Sequence, residues 1–497
     1  MKIKSFLAKP FASYIQTKVR RGMMTALADQ DNILKNLLKV GRLTDFGADH
    51  GLKDVDNHAS FRDAVPVRDY EAFRPYIDKI KGGKHNVLWK GLPIYFAKTS
   101  GTTSGVKYIP ITKESIPNHI NSARNALLLY MAETGNTAFA DGKLIFLSGS
   151  PELERIGGIP TGRLSGIVNH HIPKYLRSNQ LPSYETNCIE DWETKLDAIV
   201  KETFDQDMTL ISGIPPWVQM YFDRLQETSG KKIKDLFPNF SVMVHGGVNF
   251  EPYKAKLFDS IGRRMDAIET FPASEGFVAF QDTQTEEGLL LNTDSGIFFE
   301  FVPAGEIFNE NPTRLSLRDV RVGENYALLI NNNAGLWGYN IGDTVRFIST
   351  DPYRIVVTGR TKHFISAFGE HVIGEEVEHS LLKAASEEGV TVTEFTVAPR
   401  IGAEEGSFHE WFVEFENEPN DMTSFSTRVN ENLRGKNIYY DDLMRGNILM
   451  PLKIRPIRKN GFIDYMKSVG KLGGQNKVPR LSNDRALADA LQPFIRG

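Results

Sequence analysis

The stretch "FAKTSGTTSGVKYIPIT", Phe96 to Thr112, gathers hydroxyls and glycines ahead of a lysine. Ser100, Thr102, Thr103 and Ser104 supply hydroxyl donors, Gly101 lets backbone amides turn toward a ligand, and Lys107 adds a positive charge. That is the chemistry of a loop that cradles phosphates. A Walker A loop places its second glycine directly before the lysine and starts a helix there. Here Val106 separates Gly105 from Lys107, and Pro110 cuts a strand-like run. The pattern argues against a P-loop nucleotidase and for a loop between two strands that folds over a triphosphate, followed by a helix signalled at Thr112 to Ser115. Taken alone, the composition also suits an ordinary Ser/Gly-rich surface turn.

Further stretches carry complementary chemistry. In "DAIETFPASEGFVAFQ", Thr270, Phe271, Ser274 and Glu275 surround a proline turn. An aromatic there can stack on a purine, and a carboxylate can hold Mg²⁺ on phosphate oxygens. Just upstream, Gly246 and Gly247 let backbone lie flat against a ligand. "GLWGYNIGDTVRF" presents Asp343, a carboxylate able to accept both ribose hydroxyls of a nucleotide. "TGRTKHFISAFGEHV" carries Arg360 and Lys362 where the chain changes rhythm, and cations beside a hinge can touch nucleotide in one domain arrangement and leave it in another. "GKLGGQNKVPRLS" presents Lys477 in a glycine-rich segment. Each of these has a bland reading as a solvated turn or strand end. His170 with His171, or His363 with His371, lack the helical spacing of a metal hydrolase.

The elements that must position these groups follow from the hydrophobic rhythm. From Lys143 the short apolar runs "KLIFLSG", "TLISGIP", "SVMVHGG" and "MDAIET" alternate with helical stretches, which predicts an α/β core with a largely parallel sheet. Between Gly288 and Gly359 the runs lose their helices and predict an appended antiparallel sheet or small barrel. Behind Arg360 to Lys362 the order helix, strand, strand, helix predicts a compact, mobile α+β domain. The expected organisation is therefore a large α/β domain over residues 1–360 and a smaller α+β domain over 361–497.

Composition narrows the classes. The 497 residues carry 59 basic and 62 acidic side chains and a formal charge of −3, so no whole-molecule field gathers a nucleic acid or an anionic membrane. A single cysteine, Cys188, excludes an intrachain disulfide and fits a reducing, cytoplasmic setting. No apolar run is long enough to cross a bilayer. The opening "MKIKSFLAKPFASYIQTKVRRG" is basic and free of acids, as transit peptides are, but it reads as an N-terminal helix.

In order and separation these stretches resemble the core motifs of adenylate-forming enzymes. The closest likeness is to the GH3 family of acyl-acid amido synthetases, which has plant and bacterial members. "TSGTTSGVKYIP" resembles its phosphate loop, "FPASE" its Y-x-x-S-E motif, "YNIGD" its Y-R-x-G-D motif and "QNKVPR" its Q-Y-K-x-P-R tail. The resemblance implies ATP and Mg²⁺, with Ser100, Thr102, Thr103 and Ser104 on phosphate, Glu275 on the metal, Asp343 on the ribose, and Lys477 delivered by the small domain. It implies activation of a small carboxylic acid as its acyl-adenylate and transfer to an amino-acid amine; a monomer is compatible with that work. An acyl-CoA ligase shares the first step. Three departures, Phe271 for the motif tyrosine, Asn340 for its arginine and Asn476 for the tail tyrosine, also fit a nucleotide binder that has lost catalysis. Trp217, Tyr221 and His245 are expected near the acyl pocket.

Overall fold

The computed structural model describes residues 3–100, 106–172, 177–361, 364–365, 367, 370, 372–403, 406–445, 448–473 and 477–496. By internal contacts the chain forms two compact units, one of Met1–Gly247, Ile261–Ile341 and Val345–Val356, the other of Val248–Ser260, Gly342–Thr344 and Val357–Gly497.

The first unit has one long helix, Ile3–Gly41, which includes the basic N-terminal stretch from Ile3 onward. Gln30 fastens this helix to the core by donating to the carbonyls of Thr293 and Ile297, both at 2.8 Å, and accepting from the Phe299 amide at 2.9 Å. No helix among the described residues is long and apolar enough to cross a membrane.

Strands β1 (Tyr95–Ser100) and β2 (Val106–Ile111) form an antiparallel hairpin with Ser100 opposite Val106. β4 (Glu154–Ile156) and β5 (Ile159–Gly162) complete a four-stranded sheet of order β2-β1-β5-β4, in which β5 runs parallel to β1. The large sheet carries β3 (Lys143–Phe146), β6 (Gln180–Leu181), β7 (Met208–Ser212), β8 (Val242–Gly246) and β9 (Asp266–Ala273), all paired in parallel. Crossover helices separate them, and the one at Pro215–Ser229 has the expected punctuation: proline at its start and Gly230 at φ +69° after its end. β10 (Gly276–Phe280) pairs antiparallel with β9, and β11 (Leu289–Leu291), β12 (Ile297–Pro303), β13 (Asn325–Asn332), β14 (Tyr339–Thr350) and β15 (Tyr353–Arg360) extend the same sheet. The order is β12-β13-β14-β15-β11-β10-β9-β8-β7-β3-β6. The antiparallel strands thus continue the parallel ones edge to edge. β10 and β12 are buried nearly throughout, which explains their unbroken apolar sequences.

One charged cluster is sealed into this core. Glu300, fully buried on β12, is held bidentate by Arg314 at 3.0 and 2.6 Å and accepts from Asn331 at 2.9 Å, with His58 Nε2 at 2.8 Å. Burial opposes the carboxylate charge, but Arg314 and His58 overcome it and hold the pKa at about 2.

The second unit is α+β. β18 (Thr391–Ala403), β19 (Gly406–Asn417) and β20 (Lys453–Ile457) form its sheet, packed with helices Gly374–Glu388 and Met422–Lys436 around Phe395, Trp411 and Phe425. Residues 248–260 join this unit because the Tyr253 hydroxyl donates to Glu394 at 2.9 Å and accepts from Arg480 at 2.7 Å.

Candidate active site

The hydroxyl-rich stretch is the connection of the β1/β2 hairpin. A loop returning directly into an antiparallel strand has no helix at its end, which separates it from a Walker A loop. Gly101, Thr102, Thr103 and Ser104 lie outside the described residues, and Ser100 closes β1. Lys107 sits on β2 opposite Thr99, its ammonium 5.8 Å from the centre of the Tyr70 ring. After β2, Thr112 and Ser115 bond reciprocally, each amide donating to the other's hydroxyl at 2.9 and 3.1 Å, and helix Ile116–Thr134 follows.

The C-terminal ends of β8 and β9 bring the second group together. Gly246 lies opposite Thr270, so closely that a Cβ would fall 2.3 Å from the Thr270 carbonyl oxygen. Gly247 adopts φ +82°, open to glycine at little cost. The Thr270 hydroxyl donates to the His245 carbonyl at 2.9 Å. Phe271 is only 8% exposed and belongs to the main core, so little of its ring is open to a base.

Ser274 and Glu275 form the two-residue turn between β9 and β10, at the point where the sheet changes from parallel to antiparallel. The turn is held from three sides. Asn332 Nδ2 donates to the Glu275 carbonyl at 2.7 Å. Asn118 brackets Phe277 just beyond, accepting from its amide at 2.6 Å and donating to its carbonyl at 3.2 Å. The Tyr339 hydroxyl donates to Glu275 Oε1 at 3.3 Å. Burial raises the Tyr339 pKa well above the usual phenol value and the Glu275 charge adds to the rise, so the hydroxyl stays a donor. Sequence reasoning used "YNIGD" for Asp343 and for the departure at Asn340, and missed Tyr339, the motif's first residue. Asn340, where the motif has arginine, donates its amide to the Arg68 carbonyl at 2.8 Å.

The third group lies in the second unit. Asp343 Oδ1 accepts from Arg360 Nε at 2.9 Å, and Thr361 N donates to the Gly342 carbonyl at 2.8 Å. Gly342 adopts φ +87° at this turn. Lys477 is exposed over the residue as a whole, but its ammonium is crowded by surrounding protein atoms and feels the charges of this pair. Its pKa is lowered to about 8, chiefly by desolvation and then by Arg360, with Asp343 opposing. The fold therefore gathers Asp343, Arg360 and Lys477, which the chain keeps far apart. Lys362, Asn476, His363 and His371 lie outside the described residues.

Trp217 and Tyr221, expected near the acyl pocket, are both buried. Tyr221 is fully buried with its hydroxyl 2.7 Å from that of Thr203, and Trp217 packs on Trp192 with ring centres 4.7 Å apart. Among the described residues no group of three or more His, Cys, Asp or Glu side chains could hold a metal ion. The single carboxylate of Glu275, half open to solvent, nevertheless fits Mg²⁺, which is commonly held by one or two carboxylates together with substrate phosphates.

The fold is that of the adenylate-forming ligases. A 2-hydroxyisobutyryl-CoA ligase superimposes with a TM-score of 0.60 at 12% identity, over 95% of this chain and 92% of that one. The GH3.15 acyl acid amido synthetase in complex with 2,4-DB superimposes with a TM-score of 0.80 at 16% identity, over 98% and 96%. The chain belongs to the GH3 family: the GH3 N-terminal domain matches residues 17–191, the central domain 290–360 and the C-terminal domain 375–486. An indole-3-acetic acid-amido synthetase, GH3.3 of Arabidopsis thaliana, is 22% identical over 97% of this chain and 94% of its own length. The jasmonoyl–L-amino acid synthetase JAR4 of Nicotiana attenuata is also 22% identical, over 64% of this chain and 66% of its own length.

Proposed function

We propose that the protein is an ATP-dependent acyl-acid amido synthetase. The observation that carries this reading is the gathering of Asp343, Arg360 and Lys477 in a GH3 chain whose other motif carboxylate, Glu275, is fixed on a turn at the sheet's change of direction. In the first half-reaction a carboxylate oxygen of the acid attacks the α-phosphorus of ATP. The bond to the bridging oxygen breaks and pyrophosphate leaves, giving an acyl-adenylate. Two anions meet in that step, so charge must be spread before it can proceed. Lys477 is the cation assigned to the α-phosphate, the β1/β2 loop to the remaining phosphates and Asp343 to the ribose. Glu275 would hold Mg²⁺, whose chemistry is to neutralise phosphate charge as pyrophosphate departs. In the second half-reaction an amino-acid amine attacks the acyl carbon, the bond to AMP breaks, and the amine loses a proton. The Arg360–Asp343 pair adds one requirement: the Asp343 carboxylate must leave Arg360, or share it, to accept ribose hydroxyls.

The test is pyrophosphate–ATP exchange with Mg²⁺ across pooled carboxylic acids. Acid-dependent exchange is expected. ATP binding with no exchange from any pool would instead describe a nucleotide binder without catalysis.

A further inference from the structure

The N-terminal helix, helix Ile116–Thr134 and the turn that follows β11 enclose a cleft of about 280 Å³. It stands apart from the site described above: none of Ser100, Lys107, Thr270, Phe271, Ser274 or Glu275 lines it. Val19, Met23 and Leu290 give it apolar walls. A concavity that joins apolar walls to a few open polar groups is the usual form of a small-molecule site. Two such groups lie deep. Asn292 and Thr293 line the cleft and are only 8% and 7% exposed. Asn292 Nδ2 donates to the Ser122 hydroxyl at 2.5 Å and to the Phe277 carbonyl at 3.1 Å, which leaves its Oδ1 without a partner among the described residues. The Thr293 hydroxyl has none there either. Buried polar atoms are normally hydrogen-bonded, so two open ones in the wall of a cleft call for a bound molecule.

The charges around the cleft are balanced and open. Lys18, Arg124, Glu114 and Asp294 line it, and among the described residues none of them forms an ion pair. Lys18 on the N-terminal helix and Asp294 on the turn are close enough to feel each other: desolvation raises the Asp294 pKa, Lys18 opposes the rise and Asp29 adds to it. Gly22 on the same helix leaves the carboxylate uncovered, since a Cβ there would touch Asp294 Oδ2 at 3.7 Å. An anion in the cleft would meet Asp294 and Glu114, and a simple cation would meet Lys18 and Arg124. A molecule that carries both signs on neighbouring groups satisfies Lys18 and Asp294 together.

One wall of the cleft reaches the candidate active site. Asn118 lines it and donates to the Ser295 hydroxyl at 2.9 Å, while it holds the amide and carbonyl of Phe277, two residues beyond Glu275. The Ser295 hydroxyl in turn donates to the Asn292 carbonyl at 3.0 Å. A ligand bonded to Asn292 therefore bears on the strand that follows the Glu275 turn.

We propose that this cleft binds a free α-amino acid with an apolar side chain, its ammonium on Asp294 and its carboxylate on Lys18, and that the bound amino acid adjusts the Glu275 turn through Asn118. Binding stands on the cleft alone, whereas the effect on Glu275 rests on the amido-synthetase reading above.

The test uses the full chain with L-leucine, its methyl ester and N-acetyl-L-leucine. Calorimetry without ATP or acid should show L-leucine binding to the wild type, and at least tenfold weaker binding of either derivative, each of which lacks one charge. L-Leucine should also bind at least tenfold more weakly to Asp294→Asn and to Lys18→Met, both at exposed positions, with the Tm unchanged. In pyrophosphate–ATP exchange, L-leucine should shift the half-saturating Mg²⁺ concentration at least twofold in the wild type and not in Asp294→Asn. No binding to the wild type, equal binding of N-acetyl-L-leucine, or binding undiminished in both variants would overturn the site. An absent shift, or one that persists in Asp294→Asn, would overturn the effect on Glu275. If no acid supports exchange, the amido-synthetase reading falls, and calorimetry still decides the binding site by itself.

Discussion

Replacing Tyr339 by phenylalanine removes one oxygen from the site and nothing else. The ring is 1% exposed and packs edge-on against Phe73 with centres 5.6 Å apart, so Phe keeps the volume and leaves no cavity. The lost interaction is the hydroxyl bond to Glu275 Oε1 at 3.3 Å. Hydrogen bonds to charged groups contribute about 1.5–3 kcal/mol, and this one is longer than the usual O–H···O range, so about 1–1.5 kcal/mol is the appropriate figure. That corresponds to a five- to tenfold change in an equilibrium constant, by the rule of roughly 1.4 kcal/mol per decade. The consequence falls on the orientation of the carboxylate assigned to Mg²⁺. Titrating Mg²⁺ in the exchange assay should show a five- to tenfold higher half-saturating concentration for Tyr339→Phe, with the Tm within a few degrees of wild type. An unchanged Mg²⁺ dependence would show that Tyr339 does not orient Glu275 for metal binding, and a collapse in Tm would assign the bond to folding instead.

Lys477→Ala should lower adenylation by about 10²–10³-fold while ATP binding, read by calorimetry, stays near wild type, because the ammonium acts on charge that develops in the transition state. Near-normal adenylation would remove Lys477 from this role. With a pKa of about 8, Lys477 is cationic below that pH and neutral above it, so exchange should decline as the pH rises through about 8. In Arg360→Met a positive neighbour is gone, and the midpoint of that decline should move to higher pH. In the core, Arg314→Met leaves Glu300 buried without its main partner and should cost about 3–5 kcal/mol in urea unfolding at pH 7. Glu300 has a folded-state pKa of about 2 against 4.5 for the free group, so its contribution is complete above about 4.5 and is lost as the pH falls toward 2. The wild type should therefore lose more stability than Arg314→Met over that interval, and equal losses would refute this role.

The α/β core was legible because strands buried on both faces leave continuous apolar runs, and "KLIFLSG" and "SVMVHGG" proved to be β3 and β8. The strand that follows the hydroxyl-rich stretch was legible because Pro110 and the misplaced glycine argued against the helix a Walker A loop requires, and β2 pairs antiparallel with β1. Other features depend on contacts that local pattern does not encode. The bond between Tyr339 and Glu275 joins β14 to the β9/β10 turn, and only the sheet order brings those together. Likewise, Trp217 and Tyr221 look like pocket aromatics on a helix that follows a strand end, and only packing shows that their rings are enclosed. Residues 248–260 gave no sign of grouping with the C-terminal unit, because that association runs through Tyr253, Glu394 and Arg480.

The decisive measurement is the product of the second half-reaction. With Mg²⁺, ATP and an acid that supports exchange, pooled amino acids and CoA should be added in separate reactions, with AMP release timed and the conjugate identified by mass spectrometry. An amido synthetase releases AMP faster with amino acids and yields a conjugate of mass acid plus amino acid minus water. AMP release stimulated only by CoA, with a thioester as the product, would contradict amide formation and make the protein an acyl-CoA ligase.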